Sequence, residues 1–191
     1  IVLHNGVDHE LFKKTNIDKT DTLVFVGSLS RFNKSRNIDF LINFYRDNPD
    51  FRQYKLNIVG GPESEAARLA LKVKELNLSD VVTIHGRLSR EESIQAIQTS
   101  KIGILINSNN NLHSFEHTSP LKYFEYIYGG LNVIAIDFPA HQVLPFNENI
   151  SFFQENNLES FSKAIEKSFQ TKSLEIENLQ EITIDSRVKK I

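Results

Sequence analysis

The residues best suited to chemistry lie in one polar stretch, 108–125, which ends with a helix-like segment that begins at Ser119-Pro120. Ser119 and Pro120 fit the N-cap and the first position of a helix, where free backbone N–H groups and the nearby Lys122 favour an anion. Glu125 follows about one and a half turns later, where a carboxylate is suited to accept hydrogen bonds from vicinal sugar hydroxyls. A salt-bridged or exposed helix position is the commoner role for an isolated glutamate.

A second polar stretch follows Gly27 and carries three cations, Arg31, Lys34 and Arg36. Charge-assisted hydrogen bonds from these side chains, together with N–H groups at the start of the next helix, suit a pyrophosphate. A solvated surface turn explains the same residues equally well.

Two shorter glycine turns, Gly60-Gly61-Pro62 and His85-Gly86-Arg87, follow two further apolar runs. Glycine accepts backbone angles that other residues avoid, so the first turn permits a tight connection or the close approach of a ligand. A structural turn is its commoner role. His85, taken alone, is more often a satisfied strand-end residue than a catalyst.

These loops are positioned by short apolar, β-branched runs that alternate with segments of helical periodicity. The pattern predicts strands at 22–27, 55–59, 81–84, 102–106 and 133–136, an edge strand at 150–153, and helices at 37–45, 63–76, 89–99, 120–128 and 158–169. Such alternation is typical of an α/β fold with a doubly wound, Rossmann-like parallel sheet. Ligands bind such sheets outside the carboxyl ends of the strands, near the point where the strand order reverses.

Composition and missing motifs remove several classes of protein. The 191 residues include no cysteine and carry a net charge of −2, which excludes disulfide scaffolds and thiolate sites and provides no positive field for nucleic acid. No apolar run approaches the roughly 20 residues of a membrane span, and a cytoplasmic setting is the simplest expectation. His113 and His117 lack a third ligand at a matching spacing, so no metal site is predicted. The Gly-x-Ser-x-Gly, Walker and Gly-x-Gly-x-x-Gly motifs are absent.

A resemblance to a known family runs almost end to end, and four of the segments that carry it are SPLKYFEY at 119–126, GGLNVIA at 129–135, HNGVD at 4–8 and DSRVKK at 185–190. They look like the nucleotide-sugar signature, the interdomain crossing and the terminal return helix of one protein domain. That domain is the C-terminal half of the group 1 glycosyltransferases, a retaining family whose GT-B architecture has two facing Rossmann-like domains.

The resemblance implies a role for each candidate site residue. The donor pyrophosphate would contact Gly27, Arg31, Lys34, Arg36, Thr118, Ser119, Leu121 and Lys122. The base and ribose would contact His85, Gly86, Arg87, Leu88 and Glu125, and the candidates for the donor sugar are Glu116 and His117. No catalytic residue is assigned to this domain, and no metal or other cofactor is implied, because cations and helix N-termini neutralise the leaving diphosphate in that architecture.

Two positions depart from the family pattern. The first acid of its paired-glutamate motif falls at position 117, where this chain has His117, with Glu116 one place away. Ser28 stands where an arginine usually follows the loop glycine. The sequence leaves open which of Arg31, Lys34 and Arg36 replaces that arginine.

The function implied is transfer of a sugar from a nucleoside-diphosphate sugar to a hydroxyl acceptor, with retention. Residues 1–191 would form the donor-binding half, with 1–20 as the interdomain connection and lead-in and 183–191 as the start of the return helix. The partner is the N-terminal acceptor domain, without which the domain is expected to be inactive. Family habit favours bacterial surface-polysaccharide assembly in the cytoplasm, with that partner domain touching the inner membrane. The alternatives are a GT-B nucleotide-sugar epimerase and a non-catalytic nucleotide-binding module.

Overall fold

The computed structural model of the chain describes residues 5–12, 17–31, 34–108, 115, 120–174, 179, 182–184 and 186. Its strands are β1 (Thr20–Val26), β2 (Ser30–Arg31), β3 (Lys34–Ser35), β4 (Lys55–Val59), β5 (Val82–Gly86), β6 (Ser100–Leu105), β7 (Asn132–Ile136) and β8 (Ile150–Phe153). Its helices are α1 (Ile38–Asp47), α2 (Glu63–Glu75), α3 (Arg90–Gln98), α4 (Leu121–Tyr128), α5 (Pro139–Gln142) and α6 (Leu158–Gln170). Short 3₁₀ turns cover His9–Leu11, Pro49–Gln53 and Asn147–Asn149.

Six of these strands form one parallel sheet in the order β5-β4-β1-β6-β7-β8. The chain steps outward from β1 through β4 to β5, then returns to β6 on the other side of β1 and steps outward to β8. The strand order therefore reverses between β1 and β6, as in a Rossmann fold. The predicted α/β fold with a doubly wound parallel sheet is confirmed, and the predicted edge strand is β8.

The sheet is covered on both faces, which explains why its central strands are continuous apolar runs. Leu23 and Phe25 of β1 pack with α1, α2 and α6, whereas Val24 and Val26 pack with α3 and α4 on the opposite face. All five residues of β7 are buried. Among the helices of the described residues, none combines the length and the apolar character that crossing a bilayer requires.

Local sequence signals set two helix ends as predicted. Ser89 Oγ accepts a hydrogen bond from the Glu92 amide at 3.2 Å, and the Glu92 carboxylate accepts one from the Ser89 amide at 2.9 Å, which completes a capping box at the start of α3. Helix α4 ends at Tyr128, and Gly130 then adopts a φ of 73°, a left-handed conformation that glycine accepts without strain.

Two local predictions were wrong. The stretch after β1 is not a simple loop, because β2 and β3 pair as an antiparallel hairpin in which Arg31 faces Lys34. Helix α4 begins at Leu121 rather than Pro120. Pro120 has an extended ψ of 118° and occupies the N-cap position that the sequence assigned to Ser119, which lies outside the described residues.

Candidate functional site

Two adjoining cavities open at the carboxyl edge of the sheet. The larger, here called the central cavity, has a volume of about 360 Å³ and is lined by Asn5, Phe25, Val26, Gly27, Arg36, Ile104, Leu105, Ile106, Asn107, Pro120, Leu121, Lys122 and His141. The smaller, the flanking cavity, has a volume of about 240 Å³ and is lined by Val26, Gly27, Ser28, Val59, Gly60, Gly61, Arg87, Leu88 and Ser93. The central cavity lies where β1 and β6 end, which is the reversal point of the strand order.

The backbone at Gly27 separates the two cavities and is fixed by its neighbours. Its amide donates to the Val59 carbonyl oxygen at 2.9 Å. On the other side, a Cβ at position 60 would lie 1.7 Å from the Gly27 carbonyl oxygen, so position 60 accepts only glycine. The Gly27 backbone is therefore presented to both cavities without a side chain in the way.

Tyr126 anchors the same backbone from the other face of the sheet. Its hydroxyl accepts a 2.8 Å hydrogen bond from the Val26 amide, and its ring crosses β6 at Gly103, where a Cβ would approach the ring to 2.4 Å. Burial raises the pKa of Tyr126, so the phenol stays neutral. Sequence reasoning missed this residue, although Gly103 inside a buried strand was a signal, since glycine there often marks a close approach.

Two cations line the central cavity, Arg36 from the segment after the hairpin and Lys122 from α4. The Arg36 guanidinium lies beside Gly27, since Nη1 is 3.9 Å from where a Gly27 Cβ would be. Among the described residues that line this cavity, none is acidic. Arg31 and Lys34 pair across the hairpin through their backbones, but their side chains lie outside the described part of the structure, so their assignment to the pyrophosphate stays a prediction.

The amino terminus of α4 completes the positive side of the central cavity. Of the described helices of eight or more residues, α1, α2, α3 and α6 carry acidic residues in their first turns, and only α4 carries none. Of the described side chains, none caps its first N–H groups, whereas the Ser89 hydroxyl already accepts from the Glu92 amide in the first turn of α3. Helix α4 is therefore the one best suited to hold an anion.

Glu125 is buried on α4 and forms ion pairs rather than facing either cavity. Its Oε2 lies 2.5 Å from Lys122 Nζ, and its Oε1 lies 3.8 Å from Arg90 Nη2. Because Lys122 also lines the central cavity, this carboxylate sets the position of a cavity cation. The described contacts are those of a salt-bridged residue, and the ribose contact assigned to Glu125 stays a prediction.

The loop after β5 contributes Arg87 and Leu88 to the flanking cavity. The Arg87 guanidinium lies over Gly61, with Nε 3.5 Å from where a Gly61 Cβ would be. The Gly86 carbonyl accepts a 2.7 Å hydrogen bond from the Gly60 amide, which joins the two turns. His85 lines neither cavity. Its Nε2 lies 2.9 Å from Asn57 Oδ1, a contact expected of a satisfied strand-end residue.

Comparison with known proteins decides the family. Residues 7–182 match the family described as glycosyl transferases group 1. The chain belongs to this family. No curated protein sequence matches the chain significantly.

Solved structures of similar fold include sucrose-phosphate synthase from Thermosynechococcus elongatus, with a TM-score of 0.69 and 18% sequence identity. The match covers 97% of this chain and 49% of that protein. Anabaena Alr3699/HepE in complex with UDP and glucose has a TM-score of 0.70 and 14% identity, and the match covers 100% of this chain and 55% of that protein. The pneumococcal O-GlcNAc transferase GtfA in complex with UDP and GlcNAc has a TM-score of 0.64 and 14% identity, and the match covers 92% of this chain and 35% of that protein. At these identities the likeness shows the fold, and the chain spans between 35% and 55% of these three proteins.

His113 lies outside the described residues, as do four predicted donor-site residues of this chain: Glu116, His117, Thr118 and Ser119. Their assigned roles stay predictions. Within the described part of the chain, no three His, Asp or Glu side chains group as a metal site would require.

The structure adds three polar residues that the sequence did not assign to the site. Asn5, Asn107 and His141 all line the central cavity. They come from widely separated parts of the chain, and no local motif marks them as site residues. Only the folding of the chain into the sheet brings them beside Arg36 and Lys122.

Proposed function

We propose that this chain is the donor-binding half of an enzyme that transfers a sugar from a nucleoside-diphosphate sugar to a hydroxyl acceptor, with retention of configuration. The diphosphate lies in the central cavity, and the base lies in the flanking cavity beside Arg87 and Leu88. The observation that carries this proposal is the meeting of Arg36, Lys122 and the uncapped start of α4 in one cavity at the reversal of strand order.

The electrostatics of the central cavity explain what this half contributes to the reaction. As the bond from the sugar to the diphosphate breaks, negative charge grows on the leaving group. Preorganised donors that meet this charge contribute about 3–4 kcal/mol each to lowering the barrier. Arg36, Lys122 and the α4 amides supply such donors from protein groups, so the proposed transfer needs no metal.

The ends of the described chain support the proposed place of this domain in a larger enzyme. The Val7 amide donates to the Ile182 carbonyl at 3.0 Å, and the Ile184 amide donates to the Val7 carbonyl at 3.0 Å. The predicted interdomain connection and the predicted return segment therefore meet at a parallel bridge between Val7 and Thr183. An N-terminal acceptor domain would be reached from this one place, close to Asn5 in the central cavity.

Two of the similar structures are described as complexes with UDP, which makes UDP the first ligand to test. Calorimetric titration with UDP, GDP and ADP should show that one of these nucleotides binds. Arg36→Ala should then weaken its binding by about tenfold to a hundredfold, since a hydrogen bond to a charged group contributes about 1.5–3 kcal/mol.

Arg46→Ala is the matched control, because it removes the same charge from the far end of α1, where Arg46 pairs with Asp47 in solvent. It should leave the affinity unchanged. Absence of binding by all three nucleotides, or an equal loss in both variants, would contradict the proposal.

A further inference from the structure

His141 is a buried imidazole held in one orientation at the wall of the central cavity. It is only 2% exposed, and it lies on α5, directly after β7. Its Nδ1 lies 2.7 Å from the Ile136 carbonyl oxygen, and its ring stacks on Phe138 with the planes 16° apart. The ring is therefore fixed by a hydrogen bond on one side and by an aromatic face.

The contact with Ile136 determines which ring nitrogen carries hydrogen. A carbonyl oxygen can only accept, so Nδ1 must donate to it. Burial lowers the pKa of His141, against the opposing effects of the Ile136 hydrogen bond and the charge of Asp137. In the neutral ring, Nε2 then carries a lone pair, and no described residue bonds to it. His141 thus brings a fixed acceptor to a cavity in which the charged residues of the described lining, Arg36 and Lys122, are donors.

The order of the strands indicates which part of a donor would meet this acceptor. The flanking cavity lies over the ends of β4 and β1, the cations lie over the ends of β1 and β6, and His141 lies beyond β6, after β7. A nucleoside-diphosphate sugar whose base fills the flanking cavity and whose phosphates face the cations continues in this direction. The group beyond the phosphates is the sugar.

We infer that His141 recognises the donor sugar, by accepting a hydrogen bond at Nε2 from one of its hydroxyls. This inference rests on the proposed function and adds a residue that distinguishes the sugar nucleotide from the bare nucleotide. A sugar hydroxyl can donate to Nε2, whereas an ionised phosphate cannot. His141 is therefore a specificity residue for the sugar and leaves the diphosphate to Arg36 and Lys122.

The test compares a nucleotide with its sugar conjugate in His141→Asn. Asparagine retains an N–H near the position of Nδ1, so it can keep the bond to Ile136, but it has no group in place of Nε2. The ligands are UDP and UDP-glucose or, if GDP binds more tightly, GDP and GDP-mannose. The variant should weaken binding of the conjugate by about threefold to tenfold and leave binding of the bare nucleotide unchanged.

Gln142→Ala is the control, because it truncates the neighbouring side chain, which bonds Asp137 on the surface. It should alter neither affinity. Nitrogen NMR of the unmodified chain adds a second measurement, because the imidazole resonances of a purely structural histidine would not respond to the sugar. The resonance of Nε2 should shift on addition of the sugar conjugate and much less with the bare nucleotide.

The outcomes separate the two proposals. If no nucleoside diphosphate binds the unmodified chain, both the function and the role of His141 are wrong. If nucleotides bind but His141→Asn changes the two affinities equally, or changes neither, only the role of His141 is wrong. A protonated Nε2 in the free chain at pH 7 would also overturn it.

Discussion

At the scale of single residues, the site depends on main-chain groups held by side chains that never enter a cavity. Tyr126 is fully buried, yet its hydroxyl is the partner of the Val26 amide, directly before Gly27. Val26 and Gly27 form part of the wall of both cavities. A change at Tyr126 should therefore reach the ligand through the backbone.

Tyr126→Phe should weaken nucleotide binding severalfold, because it removes one oxygen and leaves the Val26 amide buried without a partner. The same loss should lower the free energy of unfolding by about 1–3 kcal/mol. Hydrogen exchange measured without ligand should show faster exchange of the Val26 amide, and calorimetry should show the weaker binding.

The control for this substitution is Tyr123→Phe on the same helix, where the lost hydroxyl donates to the Pro145 carbonyl. It should cost stability without speeding exchange at Val26 or changing affinity. Slow exchange at Val26 in Tyr126→Phe would rule out the anchoring role.

At the scale of elements, two of the helices that cover one face of the sheet, α1 and α2, are joined by an ionic contact. Asp39 on α1 accepts hydrogen bonds from Arg68 at 2.5 Å and from Lys72 at 2.6 Å, both on α2. Burial by itself would raise the pKa of Asp39, but these bonds and the two charges outweigh burial, and the pKa is lowered. The contact therefore stabilises the fold while Asp39 is ionised.

Asp39→Asn should lower the free energy of unfolding by about 1 kcal/mol near neutral pH. A lowered folded-state pKa means that this stabilisation is present above the unfolded value of about 3.9 and is lost as the pH falls through the folded value. Denaturant unfolding at several pH values should show the two proteins converging below about pH 4.

Glu159→Gln, which removes an exposed ion pair within α6, is the comparison and should change stability little at any pH. A difference between the unmodified chain and Asp39→Asn that stayed constant down to pH 2 would show that the ionised contact is not its cause.

At the scale of the whole molecule, the two edges of the sheet have different roles. The carboxyl edge carries the cavities, whereas the amino edge carries a half-buried cation that joins several elements. Lys19 Nζ donates to the carbonyl oxygens of Gln98, Ser100 and Gly129, at the ends of α3 and α4 and the start of β6. Burial lowers the pKa of Lys19 to about 8, so at pH 7 the group is still an ammonium with three donors.

Lys19→Met should therefore destabilise the fold without affecting the site. Three carbonyls, two of them at the negative ends of helices, lose their donor, and the free energy of unfolding should fall by about 1–3 kcal/mol. Thermal unfolding should register a drop in Tm of several degrees, and calorimetry should show an unchanged nucleotide affinity.

Lys101→Met tests whether any lysine at this edge would do the same, since Lys101 pairs with Asp21 in solvent. It should cost about 0.5 kcal/mol or less. Equal losses of stability in the two variants would contradict the joining role of Lys19.

The sequence by itself determined those features that depend on neighbours along the chain. The runs at 55–59 and 150–153 coincide residue for residue with β4 and β8, because apolar periodicity reports burial locally. The Ser89 capping box and the stop after Tyr128 were also predictable, since both depend on residues within one turn. The order of these elements was enough to predict a doubly wound sheet and the edge at which the two cavities open.

Only the tertiary structure decided which side chains share that site. Arg36 lies beside Gly27 because the β2–β3 hairpin turns the chain back, so that the Arg36 amide donates to the Leu29 carbonyl, shortly after the end of β1. Tyr126 meets the Val26 amide across 100 positions of the chain, and His141 reaches the central cavity only because β7 pairs with β6. Periodicity and capping are short-range effects, whereas a cavity is made by residues whose distance in space bears no relation to their separation in sequence.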